Sequence, residues 1–465
     1  MLSVMTLMEA LLLLFTILLL YFILVFIFRK RGILEKYNIS LYGPALLLRT
    51  KRGINFLKKI STKKRFWRAY SSSGIVFCYI SMIIFVLFFI WQFLFVVGLP
   101  QEQRAEILPS ARFYLILPGI NPILPLDYVF YIIIAFIVAI IVHEFSHGIL
   151  TLAGDLKVKS MGLLYFIFPI GAFVEPDEEQ MKKTKISKRM RVYAVGPFSN
   201  FVTFFICLLI FSFIFMSAVQ PGNGLTVYEI YEDSPADELG IEKGAIITNV
   251  NGSDITKFKN LEDRLFEYKT ILNSTKANDT ITISYIYDQI HHEDIDIKLT
   301  DSYNYIKDNS SKGKGHTGIF SFVNEKGNLG RLQNPFNEPT NYFLYFMALP
   351  IYGYFEGYNP LVSPFTESYS IAGPLGVIPT NVFWILVNSL YWIAWLNLMV
   401  GIFNILPMVP LDGGFLFNDA IRSIVTKIKK DIPLEKTDKI VSKISLIISL
   451  FILLIILSPI LLKYF

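Results

Sequence analysis

The chain has 465 residues, 53% of them hydrophobic and only 17% charged, with 43 Lys and Arg against 37 Asp and Glu for a net charge of +6. Soluble domains carry about a quarter charged residues, so this composition excludes a single well-solvated globule. Two cysteines exclude a disulfide framework, and the surplus positive charge flanks apolar runs, where it sets membrane topology rather than binding nucleic acid.

Taken in chain order, six segments reach the ~20 apolar residues that a helix needs to cross hydrocarbon. They are about Met5–Phe28, Gly74–Val97, Tyr128–Leu152, Val192–Ala218, Asn381–Leu406 and Lys443–Leu462. The first is too long for a signal-peptide core and lacks a small-residue cleavage site, so it is expected to remain as an anchor. Basic stretches lie between the spans: Arg29 to Arg68, Lys182 to Arg191, and Lys427, Lys429 and Lys430. With six alternating spans all three fall on one side, which the positive-inside rule makes cytoplasmic; both termini then lie outside. High Ile, Asn and Lys content and the lack of disulfides point to a prokaryotic plasma membrane. Tyr342–Tyr354 is apolar but short and broken by Pro350 and Gly353, as an interfacial or re-entrant segment would be.

The polar stretch between the fourth and fifth spans, about Pro221 to Pro339, is expected outside. Ile281 to Tyr287 alternates as a strand does, after a turn at Asn278-Asp279. Ser234 to Gly252 predicts a short helix, a glycine turn at Gly244, a strand and an Asn251-Gly252 hairpin turn. This run resembles the PDZ fold of membrane-tethered and periplasmic proteases, with Ala245 where an Asp usually stands. Residues 301–330, rich in Ser, Asn, Lys and Gly, predict an extended loop or insertion.

The third span ends in Ile141-Val-His-Glu-Phe-Ser-His-Gly. His143 and His147 lie four residues apart and so share one helix face, the spacing with which two imidazoles bind one Zn2+ while Glu144 reaches water at the metal as general base. An ionisable group at the centre of a membrane helix costs about 2.5–3.5 kcal/mol, so three of them within five residues demand a use. A catalytic zinc takes three protein ligands. The other histidines, His291, His292 and His316, lie in the outside segment, which leaves a carboxylate within the membrane. Asp412 stands out, in Asn404-Ile-Leu-Pro-Met-Val-Pro-Leu-Asp-Gly-Gly at the end of the fifth span, where Pro407 and Pro410 break the helix. Both elements fall towards the cytoplasmic side.

These motifs together resemble the site-2 protease family of intramembrane metalloproteases. His143-Glu144-x-x-His147 matches the family's HExxH and Asn404 to Gly414 its NxxPxxPLDGG element. Gly196-Pro197 with Asn200 matches GPxxN, and Ala372 to Val377 is similar to its GPxGI stretch. The resemblance covers about Tyr128 to Ala420 and includes a PDZ insertion. It implies zinc held by His143, His147 and Asp412, with Glu144 as the base. It implies that Ser160–Glu175, a hairpin with Gly162, Pro169 and Gly171 at its bends, dips into the membrane and pairs with substrate backbone. Asn200 and Asn404 either contact substrate or form interhelical hydrogen bonds. The implied substrates are single-pass membrane proteins already trimmed by a site-1-type protease, with the outside domain acting as a size filter or docking module.

The expected architecture is therefore a polytopic α-helical membrane protein of about six transmembrane helices, with an inserted extracytoplasmic α+β PDZ-like domain and a membrane-associated β-hairpin. Residues 1–126 hold two spans and the basic linker, 127–218 the first catalytic half, 219–339 the inserted domain and 340–465 the second catalytic half. A CaaX-type membrane zinc protease is the first alternative, but it takes a Glu as third ligand and lacks Asp412-Gly-Gly. A non-catalytic metal-binding scaffold is the second, and it has no need of Glu144.

Overall fold

The computed structural model describes residues 7–51, 53–114, 119–428 and 433–464. Met5 of the expected anchor and Arg52, Lys429 and Lys430 of the basic clusters lie outside the described residues. The main helices in chain order are α1 (Leu7–Lys30), α2 (Ile54–Ser61), α3 (Lys64–Gly98), α4 (Val129–Ala153), α5 (Ile186–Ile210), α6 (Leu261–Asn273), α7 (Glu325–Gln333), α8 (Pro339–Phe355), α9 (Thr380–Ile405), α10 (Asp412–Ile428) and α11 (Leu434–Leu462). Among the described residues five helices are long and apolar enough to cross a membrane, namely α3, α4, α5, α9 and α11. They fall on five of the six expected spans. α1 occupies the place of the remaining one, with 24 residues dominated by Leu, Phe and Ile. α8 has 17 residues with Pro350 inside it and covers the short apolar segment around Tyr342–Tyr354.

The chain divides into two compact units. The first comprises Met1–Leu115, Tyr128–Ile206 and Trp392–Phe465. Besides helices it holds a four-stranded antiparallel sheet in the order β1 (Ile39–Tyr42), β2 (Ala45–Thr50), β3 (Val158–Phe166) and β4 (Phe168–Pro176). The basic linker, expected only to connect two spans, thus supplies half of this sheet and the amphipathic helix α2. The β3–β4 hairpin is present, but its bend is not at the expected glycines and proline: the chain reverses at Ile167, in the left-handed region with φ 65°. Gly162 sits inside β3 for a different reason. A Cβ there would stand 2.0 Å from the carbonyl oxygen of Leu48 on β2, so only glycine lets the two strands pair.

Two apolar clusters hold this unit together. Leu57 of α2, Ile149 and Leu150 of α4, Val174 of β4 and Val195 of α5 share one, and burial of each such side chain is worth about 1.5–3 kcal/mol. Cys78 of α3, Ala194 of α5, Ile405 of α9 and Leu416 of α10 share the other. Both cysteines are free and buried. A buried ion pair joins Arg189 of α5 to Asp419 of α10, two turns beyond Asp412.

The second unit comprises Ile116–Asp127 and Cys207–Tyr391, a wider span than residues 219–339. β5 (Val219–Pro221) pairs with β11 (Tyr369–Ile371). Between them in sequence lie β6 (Leu225–Ile230), β7 (Ile246–Val250), β8 (Thr280–Tyr287), β9 (Ile290–Lys298) and β10 (Ile319–Phe322), which form a sheet in the order β9-β8-β7-β6-β10. The short strand Ser253–Asp254 adds to β7 through the expected hairpin turn, with Asn251 and Gly252 both at positive φ. Leu225, Val227, Ile247, Ile283 and Ile297 form a dry core under this sheet. The extended loop expected at 301–330 is replaced by ordered structure: β10 completes the sheet against β6 and α7 follows it. Its polar composition hid a strand because within β10 only Ile319 is buried, while Phe320 faces out.

Candidate metal centre

α4 carries His143 and His147 on one face, one turn apart, and α10 begins at Asp412. Chain breaking at Pro407 and Pro410 ends α9 and folds the next turn back, with Met408 N–H donating to the Leu406 carbonyl and Leu411 N–H to the Met408 carbonyl. Gly413 and Gly414 are required by this fold-back: a Cβ on either would lie within 2.4 Å of the backbone of Ile405 or Met408. Asp412 arrives as the first residue of a helix, where the backbone dipoles favour its negative charge.

The three side chains converge. Asp412 Oδ2 lies 2.9 Å from His143 Nε2 and 3.1 Å from His147 Nε2, and the two Nε2 atoms stand 3.1 Å apart. The far side of each ring is committed. His147 Nδ1 donates to the Val192 carbonyl at 2.7 Å, and His143 Nδ1 meets Asn200 Oδ1 at 3.1 Å. Since a carbonyl only accepts, His147 carries its proton on Nδ1 and its Nε2 presents a lone pair. Two imidazole lone pairs and a carboxylate oxygen then point at one spot, an arrangement that calls for a cation. Ligands 2.0–2.1 Å from a tetrahedral ion stand about 3.3 Å apart, so the cluster needs only a few tenths of an ångström of opening to hold one.

Close approach of α5 depends on Gly196, where a Cβ would lie 2.4 Å from His147 Nε2 and 2.8 Å from His143 Nε2. Glu144, next to His143 on α4, accepts the Val174 N–H of β4 at 3.0 Å. Because that N–H points away from β3, the outer edge of β4 faces Glu144 and carries no further strand among the described residues. A cavity of about 290 Å3 opens here, bordered by Glu144, His143, His147, Asp412, Val174 and Asn404.

The two asparagines separate. Asn200 is completely buried, its oxygen on His143 and its amide donating to the Ala139 carbonyl at 3.2 Å. Of the two roles the sequence left open for it, the geometry is that of the interhelical hydrogen bond: both ends of its amide are spent between α4 and α5. Asn404 is half-buried, donates to the Val400 carbonyl of its own helix at 3.1 Å and borders the cavity. Val192 and Val174 act here through main-chain atoms, which no side-chain motif reveals.

The Peptidase family M50 model matches residues 131–452. The chain belongs to that family, the site-2 proteases. An uncharacterized protein of Methanocaldococcus jannaschii is 25% identical over 425 residues, covering 90% of this chain and 87% of the other. Zinc metalloprotease RasP of Shouchella clausii is 26% identical over 265 residues, covering 54% of this chain and 56% of its own length. The PDZ domain of an SdrC-like protein from Listeria monocytogenes is 28% identical, covering 22% of this chain and 88% of that chain, with a TM-score of 0.17. Family membership and the apolar helices place this M50 protein among membrane metalloproteases.

Proposed function

We propose that this M50 protein is a zinc-dependent endopeptidase that hydrolyses peptide bonds in the transmembrane segments of single-pass membrane proteins, following a first cut by another protease. The observation that carries this reading is the meeting of two bare imidazole nitrogens and a carboxylate beside Glu144, on a helix of membrane length. A nitrogen, nitrogen, oxygen donor set suits zinc. When bound, zinc supplies a Lewis acid and lowers the pKa of its water to about 7.

The remaining work falls to the chain. The Val192 carbonyl and Asn200 fix the ring tautomers so that both Nε2 atoms face the metal. Glu144 takes a proton from water and later gives it to the leaving amine. The edge of β4 offers main-chain groups to a substrate that has lost its helix, and strand pairing replaces the hydrogen bonds that an unwound segment gives up in lipid. Asn404 is placed to receive a substrate carbonyl or amide from the cavity side. The domain around the sheet β9-β8-β7-β6-β10 selects substrates already trimmed. The basic loops lie on the cytoplasmic side of a prokaryotic plasma membrane, with both termini and that domain on the other.

The test is Glu144→Gln in the full-length protein. One zinc per chain is expected to remain, while cleavage of a single-pass substrate falls by about 10²–10⁴-fold. Undiminished cleavage would refute the assignment of the base.

A further inference from the structure

At one end of the first unit, away from the metal ligands, a small recess of about 30 Å3 forms where α4 stops at Ala153 and Gly154. Arg68 from the first turns of α3 and Lys188 and Arg191 from the first turns of α5 line it. The one carboxylate on its wall, Asp155, is taken by Lys64 in an ion pair. Lys188 Nζ donates to the Gly154 carbonyl at 3.1 Å, and Arg191 Nε donates to Ser72 Oγ at 3.2 Å. The Arg68 guanidinium has no hydrogen-bond or ion-pair partner among the described residues. Capping of the α4 terminus accounts for Lys188 alone; it leaves two guanidinium groups on a recess whose one carboxylate, Asp155, is already engaged by Lys64 and balances only part of their charge.

The surroundings give this charge a direction. From Ser72 onward α3 presents Val76, Ile80, Ile83 and Leu87 along one exposed face of a membrane-length helix. The cations therefore stand at the polar end of an apolar stripe. Guanidinium groups pair with phosphate oxygens in a planar, two-pronged geometry, and basic pockets between membrane helices are where anionic headgroups settle. At about 30 Å3 the recess is too small for an acyl chain, which has the stripe instead.

We propose that Arg68, Lys188 and Arg191 form a phosphate-binding site that joins the ends of α3, α4 and α5, taking either the headgroup of an anionic phospholipid or free phosphate. Occupancy ties the C-terminal end of the helix bearing His143 and His147 to the start of the helix bearing Gly196 and Asn200. The site is separate from the reaction itself.

The experiment uses delipidated full-length protein in neutral detergent, titrated with dioleoyl-phosphatidylglycerol, dioleoyl-phosphatidylcholine or inorganic phosphate, with bound ligand read by native mass spectrometry and by the shift in thermal midpoint. The triple variant Arg68→Gln, Lys188→Gln, Arg191→Gln is compared with an equal charge loss at exposed positions outside the recess, Lys58→Gln, Lys59→Gln, Lys63→Gln. Phosphatidylglycerol is expected to bind wild type and control alike and the triple variant about a hundredfold more weakly, from roughly a factor of five per cation. Binding of inorganic phosphate with the same dependence on the triple variant would support the site and identify the free anion as its ligand. Equal phosphatidylglycerol binding by triple variant and control, or phosphatidylcholine binding as tight as phosphatidylglycerol in wild type, would overturn the proposal. Should the triple variant fail to fold, Arg68→Gln alone removes a side chain without structural partners and is read against the same outcomes.

Discussion

His143 and His147 are equivalent in the HExxH pattern but are held by different partners. His147 leans on a main-chain carbonyl, which no substitution of Val192 removes, whereas His143 leans on the side chain of Asn200. Asn200→Ala should therefore weaken zinc affinity by about 10–100-fold through His143 alone, measured by competition with a chelator of known affinity. Unchanged affinity would show that the His143 ring is held without that amide. The convergence of His143, His147 and Asp412 was legible in the sequence, because charged and imidazole groups in an apolar run have few bland explanations. Asn200 was not resolved, since an amide serves a substrate or a neighbouring helix equally well. Gly196 showed as part of a motif, but its purpose appears only when the missing Cβ is seen to face both imidazoles.

At the level of elements, β6 and β10 decide how the polar domain is attached. Val323 N–H donates to the Thr226 carbonyl at 2.8 Å, so the chain enters and leaves the sheet at neighbouring points. Removing Gly224–Leu299 strands β10 without β6. Removing Val227–Phe322 and rejoining Thr226 to Val323 by a short Gly-Ser linker spares β5, β11 and α7. That deletion is expected to leave zinc content unchanged and to let untrimmed substrates be cleaved, scored by gel assay of full-length and trimmed forms. Continued exclusion of the untrimmed form would argue against a filter. The strands of this domain were partly legible, as Ile281 to Tyr287 alternates cleanly. β10 was hidden by the serines and glycines around it, and β1 and β2 by the lysines and arginines that surround their leucines. Gly43-Pro44, between Tyr42 and Ala45, was the available sign of that hairpin.

Over the whole molecule, most charge is solvated, but the second unit buries a carboxylate. Glu325 lies against the Thr226 hydroxyl, the Ser368 side chain and the Gly222 backbone, and desolvation raises its pKa above the ordinary value despite those hydrogen bonds and nearby Arg264. Arg264 is itself buried and donates to the carbonyls of Gly222, Gly224 and Phe258. A carboxyl group with a raised folded-state pKa binds more protons folded than unfolded. Its contribution is thus fully present below the unfolded value and is lost as pH rises through the folded one. The thermal midpoint of the unit should fall as pH increases through that window and then level off. Glu325→Gln should flatten the decline, checked by scanning calorimetry of the full-length protein from pH 4 to 8. An identical pH profile in the variant would show that another group carries the dependence.

The hydrogen bond from Val174 to Glu144 sets up a competition. A main-chain proton satisfies one strong acceptor at a time, and this one lies where an arriving peptide would seek its first partner on the hairpin. A guest that docks there takes the proton and turns the glutamate loose. In the proposed reaction the resting state is then self-occupied: Glu144 is kept idle by the same atom that would greet the peptide, and readiness for chemistry becomes a consequence of arrival.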